Sequence, residues 1–384
     1  MSLEKNEPNV RFSGFTDPWE KRQLGDILDE RNDQISETTE YPLMSFVQGK
    51  GVIPKGDRYN RSFLVKDVNK KYKKTEFGDF IYSSNNLETG SIGFNTTGKA
   101  VISPVYSIFK SKKELGSQFI GIVSARKDFI AKMTKFRQGV VYGQWRIHES
   151  DFLHIDIKIP NDEEQKIIIY LFTQLDTTIA LHQQKIEQYK EVKKLLMQKI
   201  FDQTWRFSGF TDPWEKRKLE SIVQRFDNFR VPITASDRIK GKVPYYGANG
   251  VQDYVEGFTH DGSFILIAED GANDLSNYPV RYVTGKIWVN NHAHVLQSLN
   301  GISDNKFVTM TLKYIKIQPF LVGSGRTKLN ADVLMKLIVK IPQLKEQQQI
   351  GTFFQTLDTT IALHQQKLDQ LKELKKYLMQ NLFV

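Results

Sequence analysis

Residues 175–185 read LDTTIALHQQK, and residues 357–367 read the same eleven letters, at an offset of 182. A second duplicate lies upstream of each: RFSGFTDPWEKR occupies 11–22 and again 206–217, at an offset of 195. Identical runs of this length are not accidents of composition. The offsets differ by 13 (195 − 182), so the material between the constant blocks is 13 residues shorter in the second copy. Solenoids and propellers repeat every ~20–50 residues. A period of about 190 residues means two copies of a whole domain.

Around LDTTIALHQQK the apolar residues recur in heptads. One position is held by Ile168, Leu175, His182, Tyr189 and Leu196, and four residues on stand Phe172, Ile179, Ile186, Lys193 and Ile200. The second copy gives Ile350, Leu357, His364, Leu371 and Leu378, then Phe354, Ile361, Leu368, Lys375 and Leu382. A seam sustained this long is the signature of a coiled coil. No Pro or Gly interrupts 161–201, and Asn161 with Glu164 reads as a capping-box start. The spacing predicts helices over 161–201 and 343–383, each a rod of roughly 60 Å at ~1.5 Å per residue. Lys, Glu and Gln crowd the positions off the seam, which favours two exposed helices packed on each other over a buried helix in a bundle. His182 and His364 fall on the seam and are expected to fix register as polar seam residues, in preference to acting as a buried pH switch.

The regions between the constant blocks are punctuated by Gly, Asn and Ser and contain strand-like runs: AVISPVYSIF (100–109), FILIA (264–268), KIWVN (286–290) and HVLQS (294–298). They share a frame despite different sequences. TGKAVIS (97–103) aligns with TGKIWVN (284–290), FIYSS (80–84) with FILIA, and YGQWRIHESDFLHIDIKIP (142–160) with SGRTKLNADVLMKLIVKIP (324–342). The expected architecture is α+β: two similar mixed domains and two long helices. The boundaries are 1–160 for the lead-in segment and first domain, 161–204 for the first helix, 205–342 for the second lead-in and domain, and 343–384 for the second helix.

The chain has 384 residues, 40% hydrophobic and 12% aromatic, enough for real cores. Its formal charge of +10 favours an anionic partner. The absence of cysteine excludes disulfide frameworks, Cys–zinc sites and thiol nucleophiles. With no signal-like start and no run of 18 apolar residues, a soluble cytoplasmic protein without membrane contact is expected.

Catalytic motifs are weak. GFNTTGKA (93–100) approaches the phosphate-binding loop, but Ala100 stands where the magnesium-holding hydroxyl belongs, and a β-like run with Pro104 replaces the required helix. A hairpin turn is the better reading. His292 and His294 could begin a zinc site, but the aligned residues of the first copy are Val105 and Ser107, so packing or a polar contact is expected and no metal. The acid groups Glu269-Asp270 and Asp162-Glu163-Glu164 come with no recognisable base or nucleophile. Both a glycine-rich cofactor loop and the Asn/Asp-Pro-Pro-aromatic motif of amino-methyltransferases are missing.

Candidate DNA contacts are drawn from basic, polar and aromatic clusters. KDVNKKYKK (66–74) supplies Lys70, Lys71, Lys73 and Lys74. FRQGVVYGQWR (136–146) supplies Arg137, Gln138, Tyr142, Gln144 and Arg146, and the aligned GSGRTK (323–328) supplies Ser324, Arg326 and Lys328. Arg238, Lys240, Tyr246, Asn249 and His292 complete the set. Arg and Gln read guanine and adenine edges, while Lys mostly meets phosphates. A constant scaffold with changed polar tips suits two readers of two different sequences.

Taken together, these residues resemble the specificity subunit of type I restriction–modification systems, over nearly the whole chain. The resemblance rests on the duplicated FSGFTDPWEKR segments, the LDTTIALHQQK helices and the duplicated helix starts (Pro160, Glu164, Gln165, Ile168; Pro342, Glu346, Gln347, Ile350). YYGANG (245–250), AEDGAN (268–273) and NNHAHVL (290–296) add to it. It implies two target recognition domains, each binding half of a split double-stranded DNA sequence. It further implies an antiparallel coiled coil that separates them with internal pseudo-twofold symmetry. Two modification subunits would carry S-adenosylmethionine and methylate adenine N6. Restriction subunits would supply ATP- and magnesium-dependent translocation and cleavage. The chain itself would be non-catalytic and bind no cofactor. The rivals are a stand-alone DNA methyltransferase and a DNA-binding regulator or scaffold without methylase partners.

Overall fold

The computed structural model describes residues 7–47, 51–54, 70–87, 91–113, 115–140, 144–323 and 327–384. The chain divides into two compact units: 1–181 with 367–384, and 182–366. The division falls inside both long helices, Asp162–Phe201 and Leu344–Asn381. It therefore differs from the expected boundaries, which kept each helix apart from the domains. Each unit owns the beginning of one long helix and the end of the other.

In the first unit, strand Glu20–Gln23 pairs antiparallel with Asp156–Ile159, setting the lead-in segment beside the strand that feeds the first long helix. A four-stranded sheet joins Leu28–Glu30, Ser107–Ser111, Phe80–Tyr82 and Ile92–Phe94, and a three-stranded one joins Gln34–Ile35, Tyr72–Thr75 and Ala100–Ile102. Phe80, Tyr82, Phe109 and Phe152 form a fully buried aromatic cluster, with Phe80 and Phe152 stacked at 5.4 Å. Helix Gly116–Val123 lies so close to the sheet that a Cβ on Gly121 would stand 2.3 Å from the Phe94 ring. Trp19 of DPWEKR meets Phe119 and Phe383 edge-on, so the end of the second long helix closes this core.

The second unit repeats the layout. Glu215–Lys218 pairs with Ile338–Ile341, and a six-stranded sheet runs in the order Val223–Arg225, Ala293–Ser298, His260–Ala268, Val280–Val289, Lys240–Gly247, Gly250–Val255. Its neighbours are antiparallel except Lys240–Gly247 against Val280–Val289. Helix Asn305–Tyr314 starts where the Asp304 carboxylate accepts the Phe307 N–H at 2.9 Å. Trp214 packs edge-on against Phe201 and Phe307. Phe201 and Phe383 are 182 residues apart, so the two cores are closed by equivalent residues.

The seam is buried or half-buried throughout, but its outer parts serve the heads. Ile168 and Phe172 belong to the first core, and Ile200, Ile350 and Phe354 to the second. Between these ends, helix faces helix. In the second unit His182 Nδ1 lies 2.9 Å from His364 Nδ1, and Lys193 bonds Asp358, so the two segments run antiparallel. In the first unit Lys375 bonds Asp176. Each lysine that interrupts the apolar heptads is thus answered by an aspartate of the opposing helix.

The capping-box reading is half right. Asn161 Oδ1 accepts the Glu164 N–H at 2.9 Å, but the Glu164 carboxylate does not turn back to cap; it binds Arg11. The Gln165 amide donates to the Pro160 carbonyl at 2.8 Å, as Gln347 does to Pro342 at 2.9 Å. GFNTTGKA does form a turn: Asn95 Oδ1 accepts the N–H groups of Thr97 and Gly98. Among the described residues, no helix is long and apolar enough to cross a membrane.

Candidate nucleic-acid interface

In the first unit, Gln138–Val140 and Gln144–Arg146 form a hairpin with Gln138 opposite Arg146. Asn85 Oδ1 accepts the Trp145 N–H at 2.6 Å and Ser84 Oγ accepts the Ile147 N–H at 3.0 Å, fastening the hairpin to the sheet. Trp145 is left exposed, with the Arg137 guanidinium 5.8 Å from its ring. Gln138 and Arg146 are also exposed, at 3.5 Å from Asp151 and Glu149 respectively. A flat aromatic ring beside cationic and amide groups suits bases and phosphates alike. Tyr142 and the Gln144 side chain lie outside the described residues.

The lysine run is corrected by strand alternation. Lys73 points inward and is 8% exposed, so it is unavailable to a phosphate. Lys74 lies 3.2 Å from Glu76 and 4.6 Å from the Tyr41 ring. The Tyr41 and Glu76 hydrogen bonds raise its amine above the usual lysine value. Lys70 and Lys71 remain exposed, Lys70 at 5.7 Å from the Tyr72 ring.

In the second unit the three short motifs converge. Asn249 of YYGANG donates to the Gly271 carbonyl at 2.9 Å and accepts the Asn273 N–H at 3.0 Å, clamping the AEDGAN loop. The Glu269 N–H donates to the His292 carbonyl at 2.9 Å, and His292 Nδ1 sits 2.6 Å from Asp270. Lys328 and Val322 exchange backbone hydrogen bonds at the base of the loop aligned with the first unit's hairpin. Ser324 and Arg326 lie outside the described residues.

Beneath this surface lies a closed charge network. Glu269 is bound by Arg230 at 2.7 Å and Lys328 at 2.9 Å. Burial pushes the Glu269 carboxyl up, but Lys328 and Arg230 outweigh it and hold it below the usual carboxylate range. His294 is buried, with Nδ1 2.7 Å from Asp227 and Nε2 2.8 Å from the Leu329 carbonyl. Asp227, Glu269 and His294 bring ligand atoms within 4.8 Å of one another. Arg230 and Lys328 already supply the positive charge that a metal would bring there. His292 and His294 do not converge on one point, since each faces its own carboxylate.

Several proposed contacts thus have internal work. Arg238 is half-buried, its guanidinium 4.2 Å from the Tyr245 ring and 3.5 Å from Asp253. Tyr246 packs against the sheet's second apolar cluster, and burial raises its phenol above the ordinary value. Asn249 and His292 hold loops in place. Lys240 is exposed, and Lys328 keeps about half its side-chain surface while paired. The residues that sequence reasoning missed are those beneath the tips: Asp227, Arg230 and Ser84.

A family profile described as "Type I restriction modification DNA specificity domain" matches residues 16–191 and 211–373. A Haemophilus influenzae protein described as a type I restriction enzyme specificity subunit is 41% identical over 149 residues, 39% of this chain and 38% of that protein. The matched part is thus under half the length of that relative. The type I restriction enzyme MjaVIII specificity subunit of Methanocaldococcus jannaschii is 22% identical over 292 residues, 66% of each chain. The crystal structure of a type I restriction-modification system S subunit from M. genitalium superposes with a TM-score of 0.73 at 17% identity, covering 98% of this chain and 99% of that one. The profile takes in both copies of the repeat described above, and the chain belongs to the type I restriction–modification DNA specificity family.

Proposed function

We propose that this chain is the non-catalytic DNA-reading subunit of a cytoplasmic type I restriction–modification complex. Each head reads one half of a bipartite target, and the long helices set the spacing and dock two adenine-N6 methyltransferase subunits. The observation that carries the reading is one frame built twice with different tips: an exposed Trp145 hairpin in the first unit, and the clamped Asn249–Asn273 loop with Lys328 in the second.

Docking of two identical partners is supported by a repeated apolar surface. The first unit exposes Leu181, Leu374 and Tyr377; the second exposes Leu363, Val192 and Leu195. These are the same three positions of the repeat, offset by 182. Exposed large apolar residues repeated in register mark a protein interface. S-adenosylmethionine, ATP and magnesium are assigned to partner subunits, including restriction subunits.

Methylome sequencing of cells with and without the gene tests the reading. The expected result is loss of adenine methylation at one split motif. Methyl transfer by the purified chain alone would favour the stand-alone methyltransferase instead. Sequence-specific binding with no co-purifying methylase would favour a regulator.

A further inference from the structure

A groove of about 1380 Å³ lies within the second unit, between the C-terminal half of the first long helix and the head. The helix contributes Lys190, Lys193 and Lys194, and the head contributes Arg281, Lys313 and Lys316. Against six cations stand two carboxylates, Asp274 and Asp358, and Asp358 is already bonded to Lys193. The side chain of Lys313, on helix Asn305–Tyr314, has no hydrogen-bond or ion-pair partner among the described residues. Burial holds its amine below the ordinary lysine value, Lys193 and Arg281 push the same way, and Asp358 opposes them. The carboxylate that this half-buried lysine faces, Asp358, is shared with Lys193, so cations outnumber counter-charge around it.

The helix divides its faces. Lys190, Lys194 and Met197, at spacings of four and three, line the groove, while Val192 and Leu195 are exposed away from it. The helix lysines recur as Lys372, Lys375 and Lys376, but Arg281, Lys313 and Lys316 lie in the variable region of the second copy. The groove is therefore a property of this head. Asn249 and Asn273 stand on its lining, so it is continuous with the loop clamp assigned to DNA above.

We propose that the groove receives the phosphodiester backbone of the DNA held by the second head, so that the first long helix binds DNA as well as spacing the heads. The inference rests on the proposed function. Lysines act here as point charges on phosphate oxygens, which strengthens binding without reading sequence.

The test uses the full chain assembled with its modification subunits and a duplex carrying the mapped target. In Lys194→Ala/Lys316→Ala, the slope of log affinity against log salt should fall by about 1.8, roughly 0.9 for each lost phosphate contact. The preference for target over non-target DNA should stay unchanged. Lys376→Ala, the equivalent of Lys194 in the other helix, should leave the slope as it is. The duplex should also protect Lys313 from acylation. An unchanged slope in an assembly that still selects its target overturns the groove and leaves the proposed function standing. A wild-type assembly with no target preference overturns both. Protection of Lys313 by sodium triphosphate but not by the duplex would assign the groove to a small polyphosphate and overturn the DNA proposal.

Discussion

Arg11 grips Glu164 through two parallel bonds, Nε to Oε1 at 2.9 Å and Nη2 to Oε2 at 2.8 Å, and Arg206 holds Glu346 in the same way in the other unit. Each pair ties the residue before a Phe-Ser-Gly-Phe turn to the first turn of a long helix, with the glutamate side chain only 1% exposed. Removing the arginine strands a buried carboxylate. Arg11→Ala is expected to destabilise the first unit by ~3–5 kcal/mol, and Arg206→Ala the second by a similar amount. Hydrogen exchange resolved by unit checks this; loss of protection spread equally over both units in Arg11→Ala would contradict it.

The first long helix ends in a Schellman turn: Thr204 N–H donates to Lys199 O at 2.9 Å and Gln203 N–H to Ile200 O at 3.0 Å, with Gln203 at φ 61°. Glycine is favoured at that position. Gln203→Gly is expected to stabilise the second unit by about 0.5–1 kcal/mol, since relief of the left-handed strain outweighs the added chain entropy. A denaturation midpoint that falls would refute the assignment.

His260 is buried against Phe264, its Nε2 donating to the Phe226 carbonyl at 3.1 Å and its Nδ1 accepting from the Thr259 hydroxyl at 2.7 Å. Burial holds its pKa below 6.5. As pH falls below 6.5 the unfolded chain takes up the proton before the folded one does. The stabilising contribution of this neutral ring is present above 6.5 and is lost as pH drops through the lowered folded value. Melting of the second unit across a pH series should show this dependence, and His260→Gln should flatten it while lowering stability overall.

Much of the helical framework was legible, because a heptad stripe is a local signal repeated many times. The expected spans 161–201 and 343–383 differ by at most two residues at each end from Asp162–Phe201 and Leu344–Asn381. The clasp was not legible: Arg11 and Glu164 are 153 residues apart, and nothing local distinguishes a carboxylate that caps a helix from one that binds an arginine. Lys73 stands among the candidate DNA contacts because it belongs to a charged run, yet the period of the strand Tyr72–Thr75 turns it inward between half-buried Tyr72 and Lys74. The bracing by Asn249 of the Gly271–Asn273 backbone was not legible either, since a polar residue that braces backbone looks the same in sequence as one that reads a base.

Exchanging residues 28–158 for the matching region of a relative is expected to change one half-site and keep the other. Both ends of that segment lie within the first unit, and the core of the second contains none of it. Methylome mapping of the chimera provides the readout; simultaneous change of both half-sites would defeat the two-reader reading.

Adding one heptad to both long helices is expected to lengthen the gap between half-sites without altering them. Seven residues preserve the seam and add roughly 10 Å at ~1.5 Å each, or about three base pairs at ~3.4 Å per step. The insertion belongs beside Leu181 and Gln366, because Ile200 and Phe201 at the end of the first helix are core residues of the second unit. An active mutant with the original gap would show that the helices do not set the distance.

Phe383 closes the core around Trp19 and Phe119. During synthesis, the first head is made early but obtains this residue only after the whole second head has left the ribosome. Until then the apolar surface around Trp19 has no lid. The order of translation therefore reverses the order of completion: the second head, which obtains Phe201 before its own strands are made, can finish first, and the first head must wait.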